Sequence, residues 1–371
     1  MTLTASEPLP FDLAPAYETA VRYVERGELP AVVFGVVDAQ GRREVVAISG
    51  RQRVHEDSVI FIASVTKAII ATALMQYVDE GRLDLRSPLS RYLPEAVGSP
   101  VADVQPWHVL THTSGLPDML EQEIRSRRPT YRDMVRKTLL DGPRWEPGTR
   151  YEYNSSAWVL LSELMACLSS MPFPEVLDTR VLRPLGMTET VFDARPFRDR
   201  IVTVEGTGAD NRLVAEALLW MLARACFPGG GLFGTVPDLL RFGGALLNGG
   251  NGTGGQGIGG ENGVGGFAGL DGAPRLLSAA AVARMAEPQT AGVPEIAEDG
   301  SVSYMDQGIG WRLSSGEWPA GERVITHGGR SGSRLWVDPE RGFSFAWLTT
   351  LWGVSSEAAI AVLREVYRSI D

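Results

Sequence analysis

The strand patterns of this 371-residue chain stand at its two ends, and its middle is helical. That arrangement constrains the fold more than any other feature. Residues 31–37 and 44–48 are β-branched runs separated by Asp38, Gln40 and Gly41, the pattern of a β-hairpin. Residues 308–313, 324–327, 334–338 and 343–349 carry similar strand patterns near the C-terminus. Strands so far apart in sequence bury their apolar faces by pairing with one another in space. The expected fold is therefore α+β and discontinuous. Residues 1–80 and 229–371 form one α/β domain with a mostly antiparallel sheet, and residues 81–228 form a mainly helical domain packed against it. Helices at 15–26 and 355–370 flank the sheet, the first with Tyr17, Ala20, Val21 and Val24 on its inner face. Residues 249–272 are about half glycine and are expected to be a flexible surface insertion, because ordering so much glycine costs too much chain entropy. They lack the Gly-Lys-Ser/Thr ending of a phosphate loop.

Composition narrows the function. A net charge of -10 argues against nucleic acid as the main partner. No stretch is long and apolar enough to span a bilayer, so no membrane partner is expected. The first fifteen residues lack the basic start and apolar core of a secretory signal, which points to the cytoplasm. Cys167 and Cys226 form no C-x-x-C pair and read as reduced core thiols. His108 and His112 have a spacing that suits zinc, but no Glu follows His108 and no Cys lies near, so hydrogen bonding at a helix end is the expected role. No metal or organic cofactor is expected, and the oligomeric state stays open.

Residues 64–80 are an apolar-rich run without Gly or Pro, stopped by Gly81, which predicts a helix. Ser64-Val65-Thr66-Lys67 opens it. A spacing of three places Ser64 and Lys67 on one helix face, and the helix N-terminus favours an alkoxide over a second cation. Lys67 and Lys137 are the only lysines in a chain that otherwise uses Arg. Unlike Arg, a desolvated Lys can give up its proton and serve as a base for a serine nucleophile. A capping serine beside a snorkelling lysine has the same pattern, so the pair gains its weight from further motifs. Those are Leu110-Thr111-His112-Thr113-Ser114-Gly115-Leu116-Pro117, Tyr153-Asn154-Ser155 after Pro147-Gly148-Thr149, Gly229-Gly230-Gly231-Leu232, and His327-Gly328-Gly329 at the end of a strand.

In this order the motifs resemble the serine β-lactamase and penicillin-binding-protein-like superfamily: class C β-lactamases, D-alanyl-D-alanine carboxypeptidases and family VIII carboxylesterases. The resemblance covers nearly the whole chain and implies a β-lactamase/transpeptidase-like fold. It implies Ser64 as acylated nucleophile, with Lys67 and Tyr153 as proton-handling partners, either of which serves as the base. It also implies an oxyanion hole from the backbone N–H groups of Ser64 and Arg330. Ser155, His327, Gly328 and Gly329 would line the substrate site. Two positions depart from the family pattern. Ser155 stands where an asparagine amide is usual, and His327 stands where a lysine is usual. Both changes favour a carboxylic ester as the small-molecule substrate over a β-lactam or peptide amide. A β-lactamase, D-amino-acid peptidase or acyltransferase is the alternative enzyme, and a non-catalytic binding or scaffolding protein is the alternative of another class.

Overall fold

The computed structural model describes residues 9–119, 129–206, 223–250, 267–268, 274–314 and 324–370. Its main sheet joins the two ends of the chain. Strands β1 (Ala31–Asp38), β2 (Arg43–Ser49), β3 (Arg312–Leu313), β4 (Ile325–Gly328), β5 (Arg334–Asp338) and β6 (Phe343–Thr349) lie in the order β3-β4-β5-β6-β1-β2. Every neighbouring pair is antiparallel, and β1 meets β6 with Phe34 opposite Trp347 and Val36 opposite Phe345. The strand expected over 308–313 shrinks to its last two residues, since Gly310 takes a φ of +72° that ends a ladder.

Both faces of the sheet are covered, and side-chain alternation along β1 divides the core in two. Val32, Phe34 and Val36 pack with Trp336, Phe345 and Trp347 beneath α1 (Ala14–Glu25) and the C-terminal helix Glu357–Ile370. Val33 and Val37 face the opposite way, into a larger core that takes in α2 (Val65–Asp79), α3 (Pro106–Leu110), α4 (Tyr131–Asp141), α5 (Trp158–Ser169) and α6 (Val236–Leu247). With those labels the C-terminal helix is α7. Helix α1 inserts Ala16, Thr19, Ala20 and Val24, whereas Tyr17 is exposed; the inner face is rotated from the expected one by the small residues that let α1 approach α7.

Helix α2 differs from the terminal helices. Every residue from Val65 to Tyr77 is buried, so it is enclosed on all sides by the larger core. Its polar members therefore need internal partners. Thr72 donates to the Ala68 carbonyl, and Gln76 donates to the Arg180 and Leu276 carbonyls. Most of the glycine-rich segment 249–272 lies outside the described residues. Both cysteines are free, but Cys167 is exposed and Cys226 only partly buried; the α5 position of Cys167 faces away from the core, which corrects the expectation of two core thiols. No single helix among the described residues is long and apolar enough to cross a membrane.

Candidate active site

The entry to α2 is built by close packing of three segments. Ile60–Phe61 pairs with Phe233–Gly234, and the Ile62 N–H continues that pairing onto the Leu232 carbonyl. Ala63 then turns with φ +46°, a left-handed conformation that a non-glycine residue holds only under constraint. Ser64 follows as the N-cap of α2, and Lys67 sits one turn later. Lys67 is completely buried. Its Nζ lies 3.1 Å from Ser64 Oγ and 3.0 Å from Ser155 Oγ, and it also bonds the Gly229 carbonyl. A side chain at Gly229 would collide with the Ser155 carbonyl, so a glycine is what lets this carbonyl reach Lys67.

The second motif opens α5. Asn154 is buried and works within the loop: its amide donates to the Leu116 carbonyl, its Oδ1 accepts the Ala157 N–H, and its own N–H donates to His112 Nδ1 at 3.1 Å. Asp118 accepts the Ser155 and Ser156 N–H groups and the Ser156 hydroxyl at the start of the helix. Those bonds turn Tyr153 and Ser155 toward α2. The Tyr153 ring centroid is 4.9 Å from Lys67 Nζ and 4.4 Å from the His112 ring. Tyr153 is 42% exposed at the mouth of the cleft, and among the described residues its hydroxyl has no hydrogen-bond partner. The structure therefore brings Tyr153 beside Lys67 through its ring face, not through its phenol oxygen.

The third motif closes the site from the sheet. A side chain on Gly329 would come within 2.6 Å of the Ile62 carbonyl, and Ser333 Oγ donates to that same carbonyl at 2.7 Å. These contacts dock the end of β4 against the residues that precede Ser64. Among the described residues neither the Ser64 nor the Arg330 N–H donates to a backbone carbonyl, which leaves both available to an oxyanion. His327 is buried, and its Nδ1 lies 3.0 Å from the Gly328 carbonyl; a carbonyl only accepts, so Nδ1 carries the proton. Burial, assisted by Lys67, pushes its pKa down to about 3, so the ring is neutral. His112 is held well below its ordinary value by burial, then by Lys67 and His327. Its Nδ1 accepts the Asn154 N–H, and its buried Nε2 has no partner among the described residues.

Ser64, Tyr153, Ser155, His327, Gly328, Gly329 and Arg330 thus line one cleft of about 510 Å³, with Lys67 beneath its floor. Sequence reasoning does not place His112, Asp118 or Arg312 in this cleft and leaves the direction of Arg334 open, yet all four line it. His112 carries a signal in the sequence, because it stands in the Thr111-His112-Thr113-Ser114-Gly115 motif. His108 is separate: its Nδ1 accepts the Gln105 N–H and caps α3. Among the described residues no three His, Cys, Asp or Glu side chains are grouped to hold a metal ion.

Comparison with known proteins gives this geometry a family. The chain is 28% identical over 229 residues to the D-alanyl-D-alanine-carboxypeptidase/endopeptidase AmpH of Escherichia coli K12, covering 53% of this chain and 55% of that protein. It is 30% identical over 227 residues to the esterase EstB of Burkholderia gladioli, covering 50% of this chain and 56% of that one. The chain spans about half the length of these curated relatives. A solved family VIII carboxylesterase shares the fold with a TM-score of 0.76 at 18% identity over 98% of each chain. A family model described as Beta-lactamase matches residues 18–367, and with a match over nearly all of its length the chain belongs to the beta-lactamase family of serine hydrolases and penicillin-binding proteins.

Proposed function

We propose that this protein hydrolyses carboxylic esters through an acyl intermediate on Ser64. The observation that carries the reading is Lys67, a fully buried amine within 3.1 Å of Ser64 Oγ at the floor of the cleft. Its Nζ bonds three oxygens, the Gly229 carbonyl, Ser155 Oγ and Ser64 Oγ, which fix the amine against the nucleophile. Ser64 Oγ attacks the ester carbonyl while its proton passes to Lys67, whose Nζ lies 3.1 Å away. The Ser64 and Arg330 N–H groups receive the oxyanion. The alcohol leaves with the proton, and water then releases the acid by the reverse sequence.

The preference for esters rests on Ser155 and His327. Ser155 offers a hydroxyl shorter than the amide usual there, and it is bonded to Lys67. His327 is neutral, so this position supplies no cation to a β-lactam carboxylate. Kinship with a carboxypeptidase makes peptide amides the competing substrate class. The test is a panel of short and long 4-nitrophenyl esters beside a chromogenic cephalosporin and a D-alanyl peptide. Short-chain ester turnover well above both others is expected. A cephalosporin or peptide rate comparable to the best ester would overturn the reading.

A further inference from the structure

The cleft that holds Ser64 has little to offer a carbon chain. Among the described residues the aliphatic side chains that line it are Val354 and Ala359. A chain gains from leaving water only where it meets apolar surface, so lengthening the acyl group brings little here. What the wall does offer is unfilled hydrogen-bonding capacity. Tyr151 is 2% exposed and Gln307 is 3% exposed, and both line the cleft. Among the described residues neither the Tyr151 hydroxyl nor the Gln307 amide has a hydrogen-bond partner, and neither is sealed from solvent. Two side chains that are otherwise buried thus present their polar ends to the cleft. Buried polar groups are normally satisfied within the protein, so two open ends on one cleft point to a ligand that satisfies them.

Backbone contacts hold the pair in place. The Tyr151 N–H donates to the Pro294 carbonyl at 2.9 Å, and the Gln307 N–H donates to Thr290 Oγ1 at 3.1 Å. Isolated β-bridges pair Tyr151 with Glu295 and Gln307 with Arg312, and both charged residues also line the cleft. Charges of both signs therefore border the pair. An anionic group bound there meets the Glu295 carboxylate, and a cationic group meets the Arg312 guanidinium. A neutral hydroxyl avoids both conflicts. It donates to the Gln307 amide oxygen and accepts from the amide N–H or the phenol. Burial raises the Tyr151 pKa above its ordinary value, so the phenol keeps its proton and can donate it to a hydrogen bond. Tyr153, 42% exposed at the mouth, adds an amphipathic ring against which the C–H face of a sugar packs.

We infer that the substrate is a short-chain ester of a polyhydroxylated alcohol, a sugar or related polyol, whose hydroxyls bind Tyr151 and Gln307 while its ester bond meets Ser64. This rests on the ester-hydrolase reading above and names the alcohol that reading leaves open.

The test uses matched acetates that differ in their hydroxyls: methyl 6-O-acetyl-β-D-glucopyranoside against cyclohexylmethyl acetate, and glycerol 1-acetate against propyl acetate. Acetate release is followed in each. In at least one pair kcat/KM should favour the hydroxylated ester by about tenfold, the combined factor of two neutral hydrogen bonds. The ratio should hold between low and high salt, because no charge on the ligand is involved. It should fall in Tyr151→Phe and in Gln307→Leu, and approach one in the double variant. Both substitutions keep nearly the same volume, and folding is checked by circular dichroism. Should the double variant not fold, the single variants and the wild-type ratio decide. A ratio near one in both pairs, a ratio that collapses with salt, or a ratio that survives loss of both polar ends overturns the inference. Turnover of the esters without a hydroxyl preference leaves ester hydrolysis standing. No turnover of any ester removes the hydrolase reading, and calorimetric binding of the same four esters to the Ser64→Ala protein then decides the hydroxyl site. Equal binding within both pairs overturns it.

Discussion

On the α2 side of the cleft Lys67 is buried and meets three oxygens, whereas on the sheet side, among the described residues, Arg312 has no hydrogen bond or ion pair and Arg334 meets one hydroxyl. The two walls are polar for different reasons. A charge or amine taken fully out of water must be satisfied by the protein itself, or the fold is destabilised by several kcal/mol. Arg312, exposed on β3, keeps access to water. The floor therefore holds groups whose positions the protein itself fixes, and the wall holds a charge that water still reaches. Changes on the floor should cost turnover with almost any ester, and changes on the wall should sort one ester from another.

The largest effect is expected at Ser64. Ser64→Ala removes one hydroxyl at a helix N-cap that makes no side-chain capping bond, so the fold should persist. Ester turnover should drop by about a thousandfold or more, as for other deleted nucleophiles whose oxyanion donors remain. Retained turnover in a folded Ser64→Ala protein would remove the distinction between floor and wall.

Lys67 comes next. Lys67→Arg and Lys67→Ala should lose activity to a similar extent, at least about a hundredfold, because Arg keeps a charge but does not exchange its proton at neutral pH. The Arg variant should also melt lower, since a bulkier head has no room in a fully buried site. Near-native kcat in Lys67→Arg would reduce Lys67 to an electrostatic role.

Gly329 tests the seam between the two walls. Its methyl variant, Gly329→Ala, would press on the Ile62 carbonyl and on Ser333. That pushes β4 away from Ser64 and pulls the Arg330 N–H off the oxyanion. A fall in kcat of about tenfold to a hundredfold is expected, less than the loss of a whole oxyanion donor, with KM changed less. Unchanged kcat would show that the docking of β4 does not set the oxyanion geometry.

The smallest effect concerns stability and pH. His327 has a folded pKa of about 3, against 6.5 for an exposed histidine. Below pH 6.5 the unfolded chain takes up a proton that the folded chain does not, so stability falls as pH drops through that window, down to about pH 3. The slope from one such histidine is at most about 1.4 kcal/mol per pH unit. His108 and His112 are lowered by burial in the same direction. His327→Gln should flatten the urea-midpoint profile between pH 4 and 6; an unchanged profile would mean that His327 is protonated in the folded protein.

What the sequence disclosed and what it withheld follow the same division. Helix α2 was legible because a helix enclosed on all sides is a long apolar run, and Gly81 marks its end. The strands were legible because β-branched residues crowd β1 and β2 and aromatic residues alternate along β6. The catalytic spacing was legible because Ser64 and Lys67 are neighbours on one helix turn. The wall was not: Arg312 and Arg334 come together only through the pairing of β3, β4 and β5, with 21 residues between them in the chain and no local pattern to announce it. Tyr17 and Cys167 show the same limit at smaller scale, since helical periodicity names a face without saying which side a neighbour will cover. Asn154 shows it at the site: next to the position where an amide was expected, its side chain is spent on the Leu116 carbonyl and the Ala157 N–H, which left Ser155 to face Lys67.

The central claim is that the floor acylates at Ser64 with Lys67 as a partner that exchanges protons. Its most direct measurement is mass spectrometry of the peptide containing Ser64 after brief exposure to a fluorophosphonate and, separately, to a slow aryl ester quenched in acid. The account predicts a phosphonyl and an acyl adduct on Ser64 in the wild-type protein, none in Ser64→Ala, and strongly slowed labelling in Lys67→Arg. Ester turnover without any adduct on Ser64, or with the adduct on another residue, would contradict it.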